Sequence, residues 1–340
     1  MILVTSDLHA HPWTRFATTL PNGRNSRFEN LMDVLRQIGE VADQFDASTL
    51  LVLGDLTHQR YYMRFSVYTP LMEWLVEQSQ RRHVIVLKGN HDEETATTHS
   101  LGPLELAGIE VVDAPRLIAI EGHGAPLFVP YMDGARIVEE MQNPGSATMA
   151  FLHYALDGKV MTGGEYAVPS ALRLSDCDGF ERIILGHVHA PAVEQDGRVL
   201  YVGAPLHFDF GDTGDRYCWI IPDGNGAPRA IKLGAPKFVT TSYPRIGVAP
   251  LEHSGFLRVL NTPPALFEDV KREARDQGWL DCLPVEVRMP TEAMRVLSQS
   301  MMVDEQVIRA WVDRQYPDVA ESDRENIVTF GLECLRDAQR

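Results

Sequence analysis

The sequence predicts an α/β protein: a two-sheet α/β sandwich carrying a small C-terminal α+β unit and terminal helices. Three observations predict it. Short β-branched and leucine-rich runs alternate with amphipathic stretches through the first hundred residues, helical spacing gives way to a succession of strand-like runs beyond residue 109, and the pattern changes again near residue 245. With 340 residues, 44% hydrophobic and 23% charged, the chain can bury one large core or two ordinary ones. A disordered chain, a collagen-like repeat and a disulfide scaffold are excluded by the same composition.

Taken in order, residues 2–5, 49–53 and 84–87 are compact apolar runs that each end in a polar cluster. Between them, 28–44 and 65–81 have helical spacing, with Leu31, Val34, Leu35, Ile38 and Val41 on one face of the first. Strand and helix patterns in alternation imply βαβ units and a mostly parallel sheet. Runs at 110–112, 117–121, 127–130, 149–152, 182–185, 198–202, 217–221 and 229–233 then read as strands of a second sheet packed on the first. Glycines and prolines punctuate the connections. Beyond 245 the reading is strand 256–260, helix 264–277, strand 284–288, and helices near 291–300, 304–315 and 321–337. Thr262-Pro263-Pro264 marks one helix start, and Ser322 with Glu325 forms a capping box at another. The expected domains are 1–240, a capping unit at 245–300 and a helical segment at 301–340.

The formal net charge is −16. That balance argues against binding nucleic acid through bulk charge, which needs a Lys/Arg surface, but a metal cluster supplies positive charge that residue counting misses. Cys177, Cys218, Cys282 and Cys334 are widely spaced and read as buried thiols of a cytosolic protein. The first apolar run is interrupted at Asp7, too early for a signal peptide, and no run of about 18 apolar residues predicts a membrane span, so the expected compartment is the cytoplasm.

Five polar clusters follow expected strands: Asp7-Leu8-His9, Gly54-Asp55, Gly89-Asn90-His91-Asp92, His153, and Gly186-His187-Val188-His189. Carboxylate, imidazole and amide oxygen together suit borderline divalent cations. Seven candidate ligands are too many for one metal and about right for two that share a carboxylate, a standard device for phosphoester hydrolysis. Gly54, Gly89 and Gly186 are expected to let the backbone turn sharply out of each strand. For His83, His99, His123 and His253 an ordinary hydrogen-bonded structural role stands; His11 and His207 lie close to motif residues.

The series D-x-H, G-D, G-N-H-D, H and G-H-x-H resembles the calcineurin-like metallophosphoesterase superfamily over roughly residues 1–235. The resemblance implies a metallophosphoesterase core in which Asp7, His9 and His189 bind one metal, Asn90, His153 and His187 the other, and Asp55 bridges both. His91 would protonate the leaving oxygen or stabilise the transition state, with Asp92 orienting it. Two divalent ions are implied, Mn²⁺ foremost, with Fe²⁺, Zn²⁺ or Mg²⁺ as alternatives.

Within that superfamily, Gly54-Asp55-Leu56-Thr57-His58 resembles the double-strand-break repair nucleases, which carry a second histidine at the place of His58. Ser6-Asp7-Leu8-His9 is followed by a long loop with Arg15, Arg24 and Arg27, a layout similar to SbcD, the nuclease subunit of the bacterial SbcCD complex. Gly203-Ala204-Pro205-Leu206 is similar to an element of the same nucleases, while the continuation His207-Phe208-Asp209-Phe210-Gly211-Asp212 departs from their simpler run. The chain is short for a cellular SbcD and is similar in size to a phage-type version, whose compartment would be the host cytoplasm. The resemblance implies a DNA exo/endonuclease of repair or recombination, working as a homodimer with an SMC-like ATPase (SbcC-like) partner.

Arg60, Tyr61, Tyr62 and Arg64 suit a DNA strand, with charge on phosphates and rings on bases, or form an ordinary solvated loop. Residues 241–340 hold 12 Lys/Arg and 17 Asp/Glu, so no basic tail supplies DNA affinity. Val303, Val307, Ile308, Trp311 and Val312 offer an apolar face either to the partner or to the chain's own core. A phosphatase or nucleotide phosphodiesterase with a small substrate, and a non-catalytic scaffold of the same fold, remain the alternatives.

Overall fold

The computed structural model describes residues 1–286 apart from 96, 160–168, 225 and 248–254, and beyond them 308–309, 312–313, 321, 323–325 and 327–329. In chain order the first strands are β1 (Ile2–Thr5), β2 (Thr49–Leu53), β3 (His83–Leu87), β4 (Glu93–Thr95), β5 (Thr98–His99) and β6 (Glu110–Val112). They are followed by β7 (Arg116–Leu117), β8 (Leu127–Val129), β9 (Met149–His153), β10 (Arg182–Gly186), β11 (Ala192–Glu194) and β12 (Val199–Tyr201). The last are β13 (Arg216–Ile221), β14 (Arg229–Leu233), β15 (Phe238–Ser242), β16 (Phe256–Leu260) and β17 (Asp281–Pro284). The helices are α1 (Ser26–Gln44), α2 (Phe65–Ser79), α3 (Gly102–Leu106), α4 (Gly134–Gln142) and α5 (Phe267–Asp276).

Two six-stranded sheets, ordered β14-β13-β1-β2-β3-β6 and β11-β12-β10-β9-β8-β7, make the expected sandwich. In the first, β1, β2, β3 and β6 run parallel and β13 joins β1 antiparallel; in the second, β8, β9, β10 and β12 run parallel. Alternate side chains of each strand face opposite layers. Ile2, Val4, Leu51, Leu53, Ile85 and Leu87 meet Phe128, Phe151, Ile184 and Leu200 between the sheets. Leu3, Leu50, Val52 and Val86 instead pack on Leu31, Leu35, Leu71 and Leu75 of α1 and α2. Burial on both faces explains why these strands read as continuous apolar runs.

The first helix begins at Ser26, two residues before its apolar spacing, because Asn25 caps it by accepting from the amides of Arg27 and Phe28. Six of these elements are absent from the sequence reading: the short hairpin of β4 and β5, the one-turn α3, α4 with Ile137 and Met141 as its buried contacts, the short β11, and β15, which pairs parallel with β16. Two expectations are corrected. The runs at 110–112, 217–221 and 229–233, expected in the second sheet, form β6, β13 and β14 of the first, β6 beside β3 and β13 beside β1. The strand expected at 284–288 begins earlier, over Asp281–Pro284, in register with β16 from Phe256↔Asp281 to Val259↔Pro284, and proline is tolerated there because β17 is an edge strand. The helix expected near 291–300 and residues Val303, Val307 and Trp311 lie outside the described residues, as does Cys334. Cys177, Cys218 and Cys282 are free, buried thiols.

Contacts divide the chain into units 1–286 and 287–340. In the second, Arg309 pairs with Glu325 and Arg324 with Asp313, and Val312 is fully buried. No helix of the described residues is long and apolar enough to cross a membrane.

Candidate metal centre

The parallel strands of both sheets deliver their C-terminal ends to one place, where open α/β sheets place ligands. Three ligand loops come from β1, β2 and β3, and two more from the neighbours β9 and β10, which pair Gly186 with His153. The loops after β1 and β2 stay zipped past their strands: the amides of Asp7, His9 and Ala10 donate to the carbonyls of Gly54, Asp55 and Leu56.

Two ligand groups result. Asp7, His9 and His189 offer atoms within 4.8 Å of one another, and so do Asp55, His153 and His187. Asn90 Oδ1 lies 3.2 Å from Nε2 of His153 and 3.0 Å from Nδ1 of His187, which adds an amide oxygen to the second group. Asp55 faces both groups, one oxygen 3.5 Å from His9 Nε2 and the other 3.4 Å from His153 Nε2. The ring of His153 is aimed by its Nδ1–H, which donates to the Leu53 carbonyl at 2.6 Å and leaves Nε2 for the site. The His187 amide donates to both oxygens of Asp7.

Electrostatics fit cations at both groups. Burial holds the His9 imidazole well below its usual range and that of His187 down to about 4, so both present neutral nitrogens. Burial raises Asp7 even with His153 and His189 beside it, the mark of a carboxylate short of positive charge. At Asp55 burial is outweighed by His153, His9 and His91, which hold it below the carboxylate range; in return, and against its own burial, His153 is pushed up to about 9. Neutral imidazoles of His9 and His187, the basic imidazole of His153 and the carboxylates of Asp7 and Asp55 converge with no lysine or arginine in either group, which makes a donor set for divalent metal.

The glycines act differently from the expectation. Gly54 alone of the three turns through positive φ, at +83°, and a Cβ there would stand 2.2 Å from His153 Nδ1. Gly89 and Gly186 are required for space: a Cβ would meet Asp55 Oδ1 and Leu53 O respectively, each at 2.2 Å. The sharp turns are made by the ligands themselves, since Asp7, His9, Asp55 and His187 have φ of 54°, 45°, 50° and 78°.

His91 and His58 lie beside His9, forming a third group of ligand-type atoms with it. The rings of His58 and His91 stack at 5.1 Å, and His11 stacks on the other side of His58 at 4.2 Å. The expected pairing of Asp92 with His91 is corrected. His91 Nδ1 donates to the His58 carbonyl at 2.8 Å, while the buried Asp92 carboxylate accepts from the amides of Leu56, Thr57 and Gly89 and from the Thr57 hydroxyl. Asp92 thus ties the β2 loop to the β3 loop, and burial together with Asp55 pushes it up to about 6. Thr57, which supplies two of those donors, was legible only as a neighbour of Asp55.

Among the arginines, Arg27 is also corrected: it is 6% exposed, donates to the carbonyls of His207 and Phe208, and lies over Trp13, Phe238 and Phe256, so it is a core residue of the loop and not a DNA contact. Arg24 is exposed and pairs with Glu29. Arg15, Arg60, Tyr61, Tyr62 and Arg64 are exposed. His207 is buried between the carbonyls of Pro236 and Gly214, and His83, His99 and His123 pair with Glu110, Asp113 and Asp223 away from the cluster. His253 lies outside the described residues. Sequence reading missed Arg216, a fully buried guanidinium that donates to the His189 carbonyl at 2.6 Å and pairs with Asp212 at 3.0 Å. Its only signal was a charge four residues after Asp212 at the head of an apolar strand.

A family model described as calcineurin-like phosphoesterase matches residues 1–191. Similar solved structures include an archaeal phosphodiesterase at 15% identity, covering 68% of this chain and 99% of that one, with a TM-score of 0.36. The nuclease MPE of Pseudomonas putida is 18% identical over 58% of this chain and 66% of its own, TM-score 0.30, and the phosphoesterase YfcE of E. coli is 17% identical over 60% and 79%, TM-score 0.29. These likenesses are too distant to choose among substrates.

Proposed function

The chain belongs to the calcineurin-like phosphoesterase family, and from that premise we propose that it is a two-metal DNA phosphodiesterase, an SbcD-like exo/endonuclease. The observation that carries this reading is the loop between His58 and α2. There Tyr61 and Tyr62 are 76% and 57% exposed, flanked by the exposed Arg60 and Arg64. Burial and Tyr154 raise the Tyr131 hydroxyl despite the opposing field of Arg60, which places Arg60 of this loop within electrostatic reach of Tyr131, whose ring is 6.2 Å from that of His187. Exposed rings interleaved with guanidinium groups suit a strand whose bases stack and whose phosphates pair with cations.

Asp7, His9 and His189 would hold one metal and His153, His187 and Asn90 the other, with Asp55 between them. Bound there, two divalent ions supply Lewis-acid polarisation and a nucleophile at neutral pH. His91, its Nδ1–H fixed on the His58 carbonyl, keeps Nε2 for a substrate oxygen, where it delivers a proton or a hydrogen bond as the ester breaks.

The charge of −16 favours a setting in which a partner, an SMC-like ATPase, supplies much of the DNA affinity. Phe65 at the start of α2 and Leu106 on α3, 83% and 92% exposed, favour a homodimer. The test is hydrolysis by the Mn²⁺-loaded chain of linear duplex DNA, single-stranded DNA, a nitrophenyl phosphodiester and a nitrophenyl monoester. Cleavage of DNA and the diester is expected. Turnover of the monoester alone would make the protein a phosphatase.

A further inference from the structure

We propose that the cavity opening from the metal ligands toward the small three-stranded sheet is a subsite for the phosphate that neighbours the scissile one in a polynucleotide, held by Arg15 and Arg258. This rests on the phosphodiesterase reading above. The cavity encloses about 770 Å³ and is lined by His9, His91 and His189 of the cluster together with Arg15, Arg258 and Leu283. A substrate phosphate at the metals therefore has its chain neighbour inside reach of this space.

The two arginines form a built pair. Arg15 lies over the Phe16 ring at 5.8 Å and Arg258 over the Phe210 ring at 4.6 Å, while the two rings meet edge to face at 5.4 Å. Phe210 is further fixed against Phe238 at 4.9 Å. Cation–π contact holds each guanidinium over a ring, which reduces the ordering needed on binding. Arg258 Nε donates to Thr240 Oγ1, and its terminal nitrogens have no partner among the described residues. Arg15 has no side-chain ion pair among the described residues either. In a chain with 47 acidic and 31 basic side chains, two unpaired guanidiniums facing a cavity are the exception. Of the acids lining the cavity, Asp212 pairs with Arg216 and accepts the Phe208 amide, while Asp209 accepts the Gly211 amide and pairs with neither Arg15 nor Arg258. A planar guanidinium recognises phosphate oxygens in pairs, and phosphate is the anion a phosphodiester chain brings next to its cleaved bond.

The ligand loop explains the geometry. Residues 207–212, where the sequence departs from the simpler run of the nucleases it resembles, place Phe208 edge-on to both His189 and His9 at 5.1 and 5.2 Å and carry Phe210 out under Arg258. The departure thus links the metal ligands to the second arginine.

The experiment compares kcat/KM of the Mn²⁺-loaded full chain on the thymidine trinucleotide, which has two phosphates, and on bis(4-nitrophenyl) phosphate, which has one. In Arg258→Gln and in Arg15→Gln the ratio of trinucleotide to nitrophenyl ester should fall about tenfold, through KM, the worth of one charge-assisted hydrogen bond. Arg258→Lys should recover part of it. Metal content measured on each variant guards against a folding defect, and Arg15, on an exposed loop, serves if Arg258→Gln is unstable. A wild-type ratio in both glutamine variants, or an equal loss on both substrates, overturns the subsite alone. A wild-type protein that cleaves neither diester overturns the phosphodiesterase reading and the subsite with it.

Discussion

Asp55 Oδ1 stands 3.4 Å from His153 Nε2 while Oδ2 stands 3.5 Å from His9 Nε2, so one buried carboxylate addresses a ligand of each group. Asp55→Asn exchanges one of those oxygens for an amide nitrogen that cannot ligate. Metal content by elemental analysis should drop below two per chain, and hydrolysis should fall by more than about 100-fold, given that even outer-shell partners of a metal are worth about 10–100-fold. Chelation of wild type should lower its Tm, because a ligand bound only to the folded state at about 100 times its Kd adds about 2.7 kcal/mol. Two full metal equivalents in Asp55→Asn would show that the carboxylate does not join the groups.

His91 touches no ligand carboxylate through its ring; its amide donates to Asp55 and its Nδ1 to the His58 carbonyl. His91→Ala should keep its metal and lose about 10²–10⁴ in kcat, the usual range for a general acid. Nuclease activity persisting at the wild-type rate in the purified variant would remove His91 from the chemistry.

Asp92 accepts four hydrogen bonds at 0% exposure. In Asp92→Asn an NH₂ group would face backbone amides, leaving at least one orphaned at about 1–3 kcal/mol each, so Tm should fall by several degrees. The loops it joins carry Asp55, Asn90 and His91, so kcat should fall as well. A variant with unchanged Tm would mean that the zipped loops do not depend on this carboxylate.

Asp43 gives a pH signature remote from the site. Its slight burial is outweighed by Arg82 and Arg81, which hold the carboxyl below its usual range. Arg82 is itself almost fully buried and also donates to the Ala47 carbonyl. A folded-state value below the unfolded one means stability that is present above about pH 4 and is lost as pH falls through the folded value. Asp43→Asn should therefore cost about 1 kcal/mol at pH 7, a figure kept small because Asp43 is more than a third exposed and solvent screens the pair. The gap between variant and wild type in urea unfolding should narrow below about pH 4 and close once the pH lies below the folded value. A gap independent of pH would assign the effect to packing.

The cluster of ligand-type side chains was legible because metal chemistry needs particular side chains at strand ends, and apolar runs mark those ends in a doubly covered sheet. Asp92 and Arg27 were not. A carboxylate beside a histidine in sequence suggests a pair, whereas the backbone amides it satisfies in space carry no residue signature. A guanidinium is assigned to solvent by its charge, and only the folded loop reveals the rings and carbonyls around Arg27. Strand β15, Phe-Val-Thr-Thr-Ser, buries only its first residue, so it lacks the alternation that betrays a strand. Helix α4 spans nine residues, with one i, i+4 buried pair as its whole pattern.

The left-handed backbone at Asp7, His9, Asp55 and His187 has a consequence for how the protein can evolve. Each such residue costs on the order of 1 kcal/mol relative to a relaxed conformation. A lineage selected for folding alone would drift toward glycine at all four positions, gaining robustness while erasing the ligands. Holding ligand-type side chains there sets durability against chemistry, concentrated in four peptide units.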